Sequence, residues 1–387
     1  MHPKPKTGLP GRNFSIHLGT WHSGPHKDPH MKRTLIATLL FPVVLVLAII
    51  NHACLALDEI LFPAWRKTKV SRPVFIVGMT RTASSWLHKT LYEDRERFTS
   101  MKLWEMVFAP SIIQKKGAIL LQKMDRLAGR LISRMLRPFD RFIFRGLQKT
   151  HPTSFFDIEE DDLVLIQLLS NTLLVFFFPG IQQFRDLPWF DERISPERRS
   201  RIIRFYRDCV SRHLFVFGSG RTYLSKSPCH TPKLRSLRQA FPDSRFICTY
   251  RDPAHTIPSS LSLFFSFLKG FRTRFEQEKA VQFTIDLAAH WYAYPVKEFA
   301  SWPASDYIFL EYDRLVREPE RTIQNLYRHF NFSMSDAYTR RLEDICKQSR
   351  CYISGHRYSA AAFNLREEDL AGRFVFPGDM SPADKAP

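Results

Sequence analysis

"VFIVGMTRTASSWL", residues 74–87, decides the reading of this chain. An apolar run ends at Gly78. The chain then passes through Arg81, Thr82, Ala83, Ser84 and Ser85 before hydrophobic spacing resumes at Trp86, Leu87 and Leu91. The first part has the length and composition of a buried parallel strand, and the last has helical spacing. A strand that served only a core would leave through an ordinary polar turn. An arginine and a row of small hydroxyl residues at a helix start suit an anion instead. The first helical N–H groups are unpaired and lie at the positive end of the helix dipole, so a phosphate satisfies both. The loop has no Gly-Lys-Ser/Thr ending, which disfavours a nucleotide-dependent kinase.

Working outward, the pattern predicts a helix over 84–92, a long helical stretch, then strands at 223–225 and 245–250, each followed by a helix. Short apolar strands alternating with amphipathic helices predict an α/β fold with a parallel sheet covered on both faces. Ligands of such sheets bind beyond the carboxyl ends of the strands. Three basic residues fall there: Arg81, Lys226 and Arg251. In "FICTYRDPAHTIPSSLSL", Arg251 closes a strand, Pro253 suits a first helical position, and Ser259 follows eight residues after Arg251. Such a pair could pinch a second phosphate. The bland alternative is an Asp252 cap beside a salt-bridged arginine.

The 387 residues carry 57 basic and 38 acidic side chains, a formal charge of +19, which suits phosphate-bearing ligands, an anionic membrane or nucleic acid. Without an aromatic-interleaved basic motif, nucleic acid is not expected. Six cysteines without a CxxC pair read as free thiols, and His and Cys never cluster at metal-ligand spacing, so no metal is expected. Residues 1–33, rich in Pro, Gly, His and Lys, read as a disordered basic tail. Residues 34–57 carry no charge and are long enough to cross a bilayer of about 30 Å, with Asn51 and His52 weakening the last third. A buried core helix or an interfacial hairpin is the alternative. Basic residues flank the segment on both sides, so orientation is unassigned. The expected localisation is membrane-associated, single-pass or interfacial.

Together these motifs resemble the sulfotransferase superfamily that uses 3′-phosphoadenosine 5′-phosphosulfate (PAPS), and most of all its large bacterial-type branch. The 5′-phosphosulfate loop is matched by Arg81, Thr82, Ala83, Ser84, Ser85, Trp86 and Leu87, and the 3′-phosphate pair by Arg251 and Ser259. Further matching stretches are "LWEMVFAPS", "HPTSFFDIEEDD", "LSKSPCHTPKL", "FPDSRFICTYRDP" and "GHRYS", whose Arg357 is implied to contact the nucleotide. The resemblance implies a P-loop-like central parallel sheet flanked by helices, with a helical insertion and an N-terminal hydrophobic helix. It also implies a sulfotransferase domain over 72–376 followed by a flexible tail. The chain departs from the family at Ala83, where Gly is usual. If that position needs positive φ, Ala costs roughly 1–2 kcal/mol.

The implied reaction moves a sulfuryl group from PAPS, the co-substrate, to a hydroxyl or amine of a small-molecule, lipid or glycan acceptor. Arg81 would neutralise the leaving 5′-phosphate and Lys226 would sit near the sulfuryl group. Glu105, matched to a glutamate of Golgi and tyrosyl sulfotransferases, is the first candidate base, with its pKa raised by burial beside Trp104 and Phe108. His230 is the rival, and Glu159 and Glu160 come third. A non-catalytic nucleotide-binding scaffold of the same fold is the alternative, kept open by Ala83. A last feature is the recurrence of Arg126, Arg130, Arg134, Arg137, Arg141 and Arg145 at three- and four-residue spacing, with an apolar face beside them. Such a helix suits an anionic membrane surface or an anionic acceptor, or is a solvated charged face.

Overall fold

The computed structural model describes residues 29–146, 153–178, 181–218, 220–270, 277–350, 363, 365, 370 and 372–375. Five strands form one sheet: β1 (Val74–Gly78), β2 (Phe98–Thr99), β3 (Thr222–Lys226), β4 (Arg245–Tyr250) and β5 (Tyr307–Glu311). Their spatial order is β2-β3-β1-β4-β5, and every pairing is parallel. Three of the strands lie where the sequence pattern put them. The other two are the edges: β2 has only two residues, and β5 has mostly half-exposed side chains.

Central strand β1 is buried on both faces, which is why it reads as an unbroken apolar run. Its side chains alternate. Val74 and Ile76 pack with Leu224, Ile247 and with Leu87 and Leu91 of α2 (Ser84–Tyr92), under the helices Pro319–His329 and Asp336–Arg350. Phe75 and Val77 face the other way, into a larger core with Tyr206, Leu214, Leu237 and Phe246, covered by the helices Pro196–Phe217 and Leu234–Ala240. β1 sends its chain towards β2 and β3, while β4 and β5 lie on its other side. The crevice of such a sheet therefore opens above β1 and its neighbours.

Between β2 and β3 lies the helical insertion, which begins with α3 (Leu103–Phe108), α4 (Ile112–Leu127) and α5 (Leu131–Phe144). The N-terminal helix α1 (Pro29–Leu61) outruns the expected segment at both ends. It is long and apolar enough to cross a membrane over Pro42–Leu61, by length and composition. Its last three turns are built into the protein, which explains the polar residues there. Asn51 is fully buried, donating to the Val107 carbonyl at 2.9 Å and accepting from Gln114 Nε2 at 2.7 Å. Asp58, also fully buried, accepts from the backbone N–H groups of Ile112 (2.7 Å) and Ile113 (3.1 Å), so it caps α4. The same carboxylate pairs with Arg212 Nε at 3.1 Å, and that guanidinium lies over the Trp65 ring.

Asp58→Ala should therefore remove two acceptors from the start of α4, which Ser111 also caps, and leave buried Arg212 with Glu59 alone among the described carboxylates. The expected cost is about 3–5 kcal/mol, the cost of breaking a buried ion pair. It is read as a fall in the denaturant midpoint, and a loss below about 1 kcal/mol would show that the pair contributes no more than an exposed one.

Candidate active site

The site begins at Gly78. Its φ is +112°, and a Cβ there would sit 2.1 Å from the Thr249 carbonyl oxygen, so only glycine lets β1 and β4 run side by side at their ends. Its N–H is taken by Thr231 Oγ1 at 2.8 Å. Arg81 and Ala83 then adopt left-handed backbones, at φ 65° and 60°, with Thr82 between them at negative φ. Such alternation turns neighbouring N–H groups to one side and forms an anion-binding concavity. Ala83 thus occupies the strained case raised by the sequence. Thr82 is fully buried and holds the loop shut, donating to the Met79 carbonyl at 2.8 Å and lying 2.7 Å from Thr249 Oγ1. Ser84 is buried at the start of α2, Ser85 is exposed, and Trp86 packs against the core on the α2 face.

The loop meets the second phosphate motif directly. Arg81 Nε donates to Ser259 Oγ at 3.0 Å, and Thr80 Oγ1 lies 2.7 Å from Ser260 Oγ. Ser259 stands on the helix Pro253–Gly270, whose start is capped by Asp252, accepting from the Ala254 N–H at 2.8 Å. Arg251 precedes that cap. Its guanidinium lies 3.9 Å over the Tyr312 ring, and its buried Nε has no hydrogen-bond partner among the described residues. An orphaned guanidinium donor in a half-buried position fits an anionic ligand, because leaving such a group dry and unpaired is costly. The salt-bridged arginine of the bland reading does not form there among the described residues. Arg357 lies outside the described residues.

On the β3 side, Lys226 is almost fully buried and donates to Glu160 Oε1 at 2.6 Å. Under this pair lies a carboxylate that sequence reasoning missed. Asp161, fully buried, accepts from Tyr206 Oη, from Tyr223 Oη at 2.8 Å, from Ser225 Oγ at 2.8 Å and from His230 Nε2 at 3.1 Å. Burial alone would raise its pKa. The His230 imidazole and the tyrosine donors outweigh that and hold it at about 2. Asp162 pairs in turn with buried Lys233 at 2.6 Å. The acidic run is thus half structural: Asp161 and Asp162 point inward, and Glu160 meets Lys226. The available signal was the spacing of Tyr223 and Ser225, two polar donors on one face of a buried strand.

Both leading candidate bases are buried, and the pKa expected for Glu105 moves the other way. Glu105 is buried, but burial is overcome: His213 beside it, Lys115 and the Lys102 N–H hold its pKa below the ordinary carboxylate range. Its Oε2 accepts from His213 Nδ1 at 2.7 Å and its Oε1 from the Lys102 N–H at 3.1 Å, in the capping box of α3. His230 is equally enclosed, edge-on to Tyr206 and Phe75. Neither side chain reaches an open surface. A cavity of about 520 Å³ lies at the other end of the sheet, lined by Trp65, Val70, Phe241 and Pro242 among others, away from the loop. No group of His, Cys, Asp or Glu among the described residues could hold a metal ion.

A central parallel sheet with this strand–loop–helix and strand-end arginines defines the class, and residues 73–336 match the model of the sulfotransferase family. The chain belongs to that family and is a sulfotransferase. It is 24% identical over 383 residues to the omega-hydroxy-beta-dihydromenaquinone-9 sulfotransferase Stf3 of Mycobacterium bovis and of Mycobacterium tuberculosis, an alignment covering 92% of this chain and 82% of those proteins. Its fold is that of sulfotransferase STF9 from Mycobacterium avium (TM-score 0.65, 15% identity, 82% of this chain and 78% of that one). Sulfotransferase STF1 from Mycobacterium tuberculosis is similar as well (TM-score 0.63, 19% identity, 85% and 83%).

One buried histidine makes the site sensitive to acid. His88 on α2 lies 2.9 Å from Ser100 Oγ, and burial, with Lys226 nearby, lowers its pKa from 6.5 to about 3. Below pH 6.5 the unfolded chain takes up a proton that the folded chain refuses, so stability should fall between pH 6.5 and about 3. The depressed Asp161 adds to this loss only below about pH 3.8. His88→Gln should flatten the decline above that point, as read from unfolding midpoints across pH. Parallel slopes in both proteins would refute the assignment.

Proposed function

We propose that the chain transfers the sulfuryl group of PAPS to the hydroxyl of a membrane lipid. The observation that carries this reading is the junction of the two phosphate motifs. Arg81 reaches Ser259 at 3.0 Å, and the unpartnered Nε of Arg251 stands about two turns earlier on the approach to the same helix. The residues present suit a nucleotide bearing two separated anionic groups. Arg81, the loop N–H groups and Ser84 would hold the 5′-phosphosulfate, and Arg251 with Ser259 the 3′-phosphate. The Arg81–Ser259 bond would then be shared with phosphate oxygens on either side.

When bound, the co-substrate supplies the sulfuryl group and a bisphosphate leaving group. Arg81 neutralises the charge that builds on the phosphate oxygen as its bond to sulfur breaks. Lys226 faces the sulfuryl oxygens from β3. With Glu105 and His230 enclosed, the acceptor proton passes to Glu160, whose carboxylate is partly exposed beside Lys226. The products are the sulfate ester and adenosine 3′,5′-bisphosphate. The lipid acceptor rests on two supports: the substrate for which the Stf3 relatives are named, a hydroxylated dihydromenaquinone, and the apolar α1, which we read as the anchor that keeps the enzyme on the membrane.

The deciding experiment measures radiolabelled sulfate transfer from PAPS by the full chain to hydroxylated isoprenoid lipids, glycolipids and soluble sugars. Transfer confined to soluble sugars would overturn the lipid assignment, and no binding of PAPS would overturn the reaction. Adenosine 3′,5′-bisphosphate should raise the melting temperature more than adenosine 5′-phosphate does, and Arg251→Ala should abolish that preference. Equal shifts in the wild type would sink the 3′-site.

Glu160→Gln should keep nucleotide binding and lose about 10²–10⁴-fold in kcat. Glu105→Gln should instead lower the melting temperature, because it leaves His213 facing a neutral partner. The reverse pattern, with Glu160→Gln silent and Glu105→Gln stable but inactive, would return the proton to Glu105.

A further inference from the structure

We infer that the α4–α5 hairpin is a docking surface for an anionic lipid bilayer, distinct from α1. In an ordinary surface helix the apolar arc faces the core and the charges face water. In α5 the apolar arc faces outward. At about 100° per residue, Leu131, Met135, Phe139 and Phe142 fall in one arc, and Arg134, Arg137 and Arg141 in an arc that flanks it on one side. All four apolar side chains are exposed, Met135 at 78% and Phe142 at 73%, and Leu127 at the tip reaches 90%. The last turns of α4 add Leu120, Leu121 and Met124, exposed as well. A contiguous apolar surface of this kind on a folded chain marks an interaction site.

The hairpin is held in shape without burying that surface. Gly129 and Arg130 reverse the chain with φ of 74° and 61°. Asp125 caps α5, accepting from the N–H groups of Ile132 (2.7 Å) and Ser133 (3.1 Å) and from the Ser133 hydroxyl. Asp140 turns to the Phe155 N–H at 2.8 Å. These are the only acidic residues between 112 and 146; Asp125 is taken up by the hairpin's own backbone and Asp140 by the Phe155 N–H, so the charge the hairpin presents is basic. Apolar side chains bordered by arginines match the acyl and headgroup layers of an anionic membrane. A second copy is a poorer occupant, because a symmetric contact would bring the arginine rows of both copies together. At its base, Phe144 packs on Phe155 at 4.8 Å, in the segment that leads to Glu160. The docked bilayer would therefore lie on the side from which that segment runs into the site.

The inference does not depend on the reaction, and its readout is lipid contact. The full chain is reconstituted in phosphatidylcholine nanodiscs with and without phosphatidylglycerol, so that α1 is accommodated alike in both, and amide hydrogen exchange is followed by mass spectrometry. Peptides within 120–145 should exchange at least about tenfold more slowly in the anionic discs. Arg134→Glu with Arg141→Glu should remove the difference, as should Met135→Glu with Phe142→Glu, while exchange in the sheet stays unchanged. Equal exchange in the two discs overturns the proposal. So does protection that follows protein concentration in detergent, which would assign the face to a second copy.

Discussion

A single buried carboxylate sets the geometry on which the site depends. Asp161 is ionised at zero exposure, a state that is costly unless the charge is surrounded by donors. The four donors come from three parts of the chain: Tyr206 on the long helix, Tyr223 and Ser225 on β3, and His230 in the turn beyond it. The insertion is thereby fastened to the sheet at one point. Glu160 and Lys226 are the residues immediately outward of that point on each segment, so their 2.6 Å contact follows from the anchoring beneath it.

Much of this architecture was legible because β1 and its loop combine signals that rarely coincide by accident. An unbroken apolar run, a glycine, an arginine and a hydroxyl-rich helix start all fit one local structure, a buried strand that turns through a tight loop into a helix. β4 and its Arg251 repeat the logic. The edge strands were illegible for a physical reason: β2 is too short for a period, and β5 is half exposed, so neither concentrates apolar residues. Glu105 misled in a different way. Burial was the correct expectation, but the sign of its effect depends on partners far apart in sequence. His213 and Lys115 reverse it, and no local pattern announces either.

Helix α1 offers a related lesson about polar residues in apolar segments. Asn51 and Asp58 look like flaws in a membrane span. Within the fold they are the groups that join the helix to α3, α4 and Arg212. The helix therefore meets the domain through directional bonds, and its final turns move with the domain as one body.

The left-handed backbones at Arg81 and Ala83 have a thermodynamic meaning beyond their shape. A glycine-rich loop is loose until its ligand arrives, and ordering it then opposes association. Here the side chains that narrow the backbone's choices, together with the Thr82 contacts, impose that ordering when the chain folds. What is left to decide the encounter with an anion is mostly charge and the stripping of water, both of which respond to ionic strength. The loop behaves less like a hand that closes than like a mould already set.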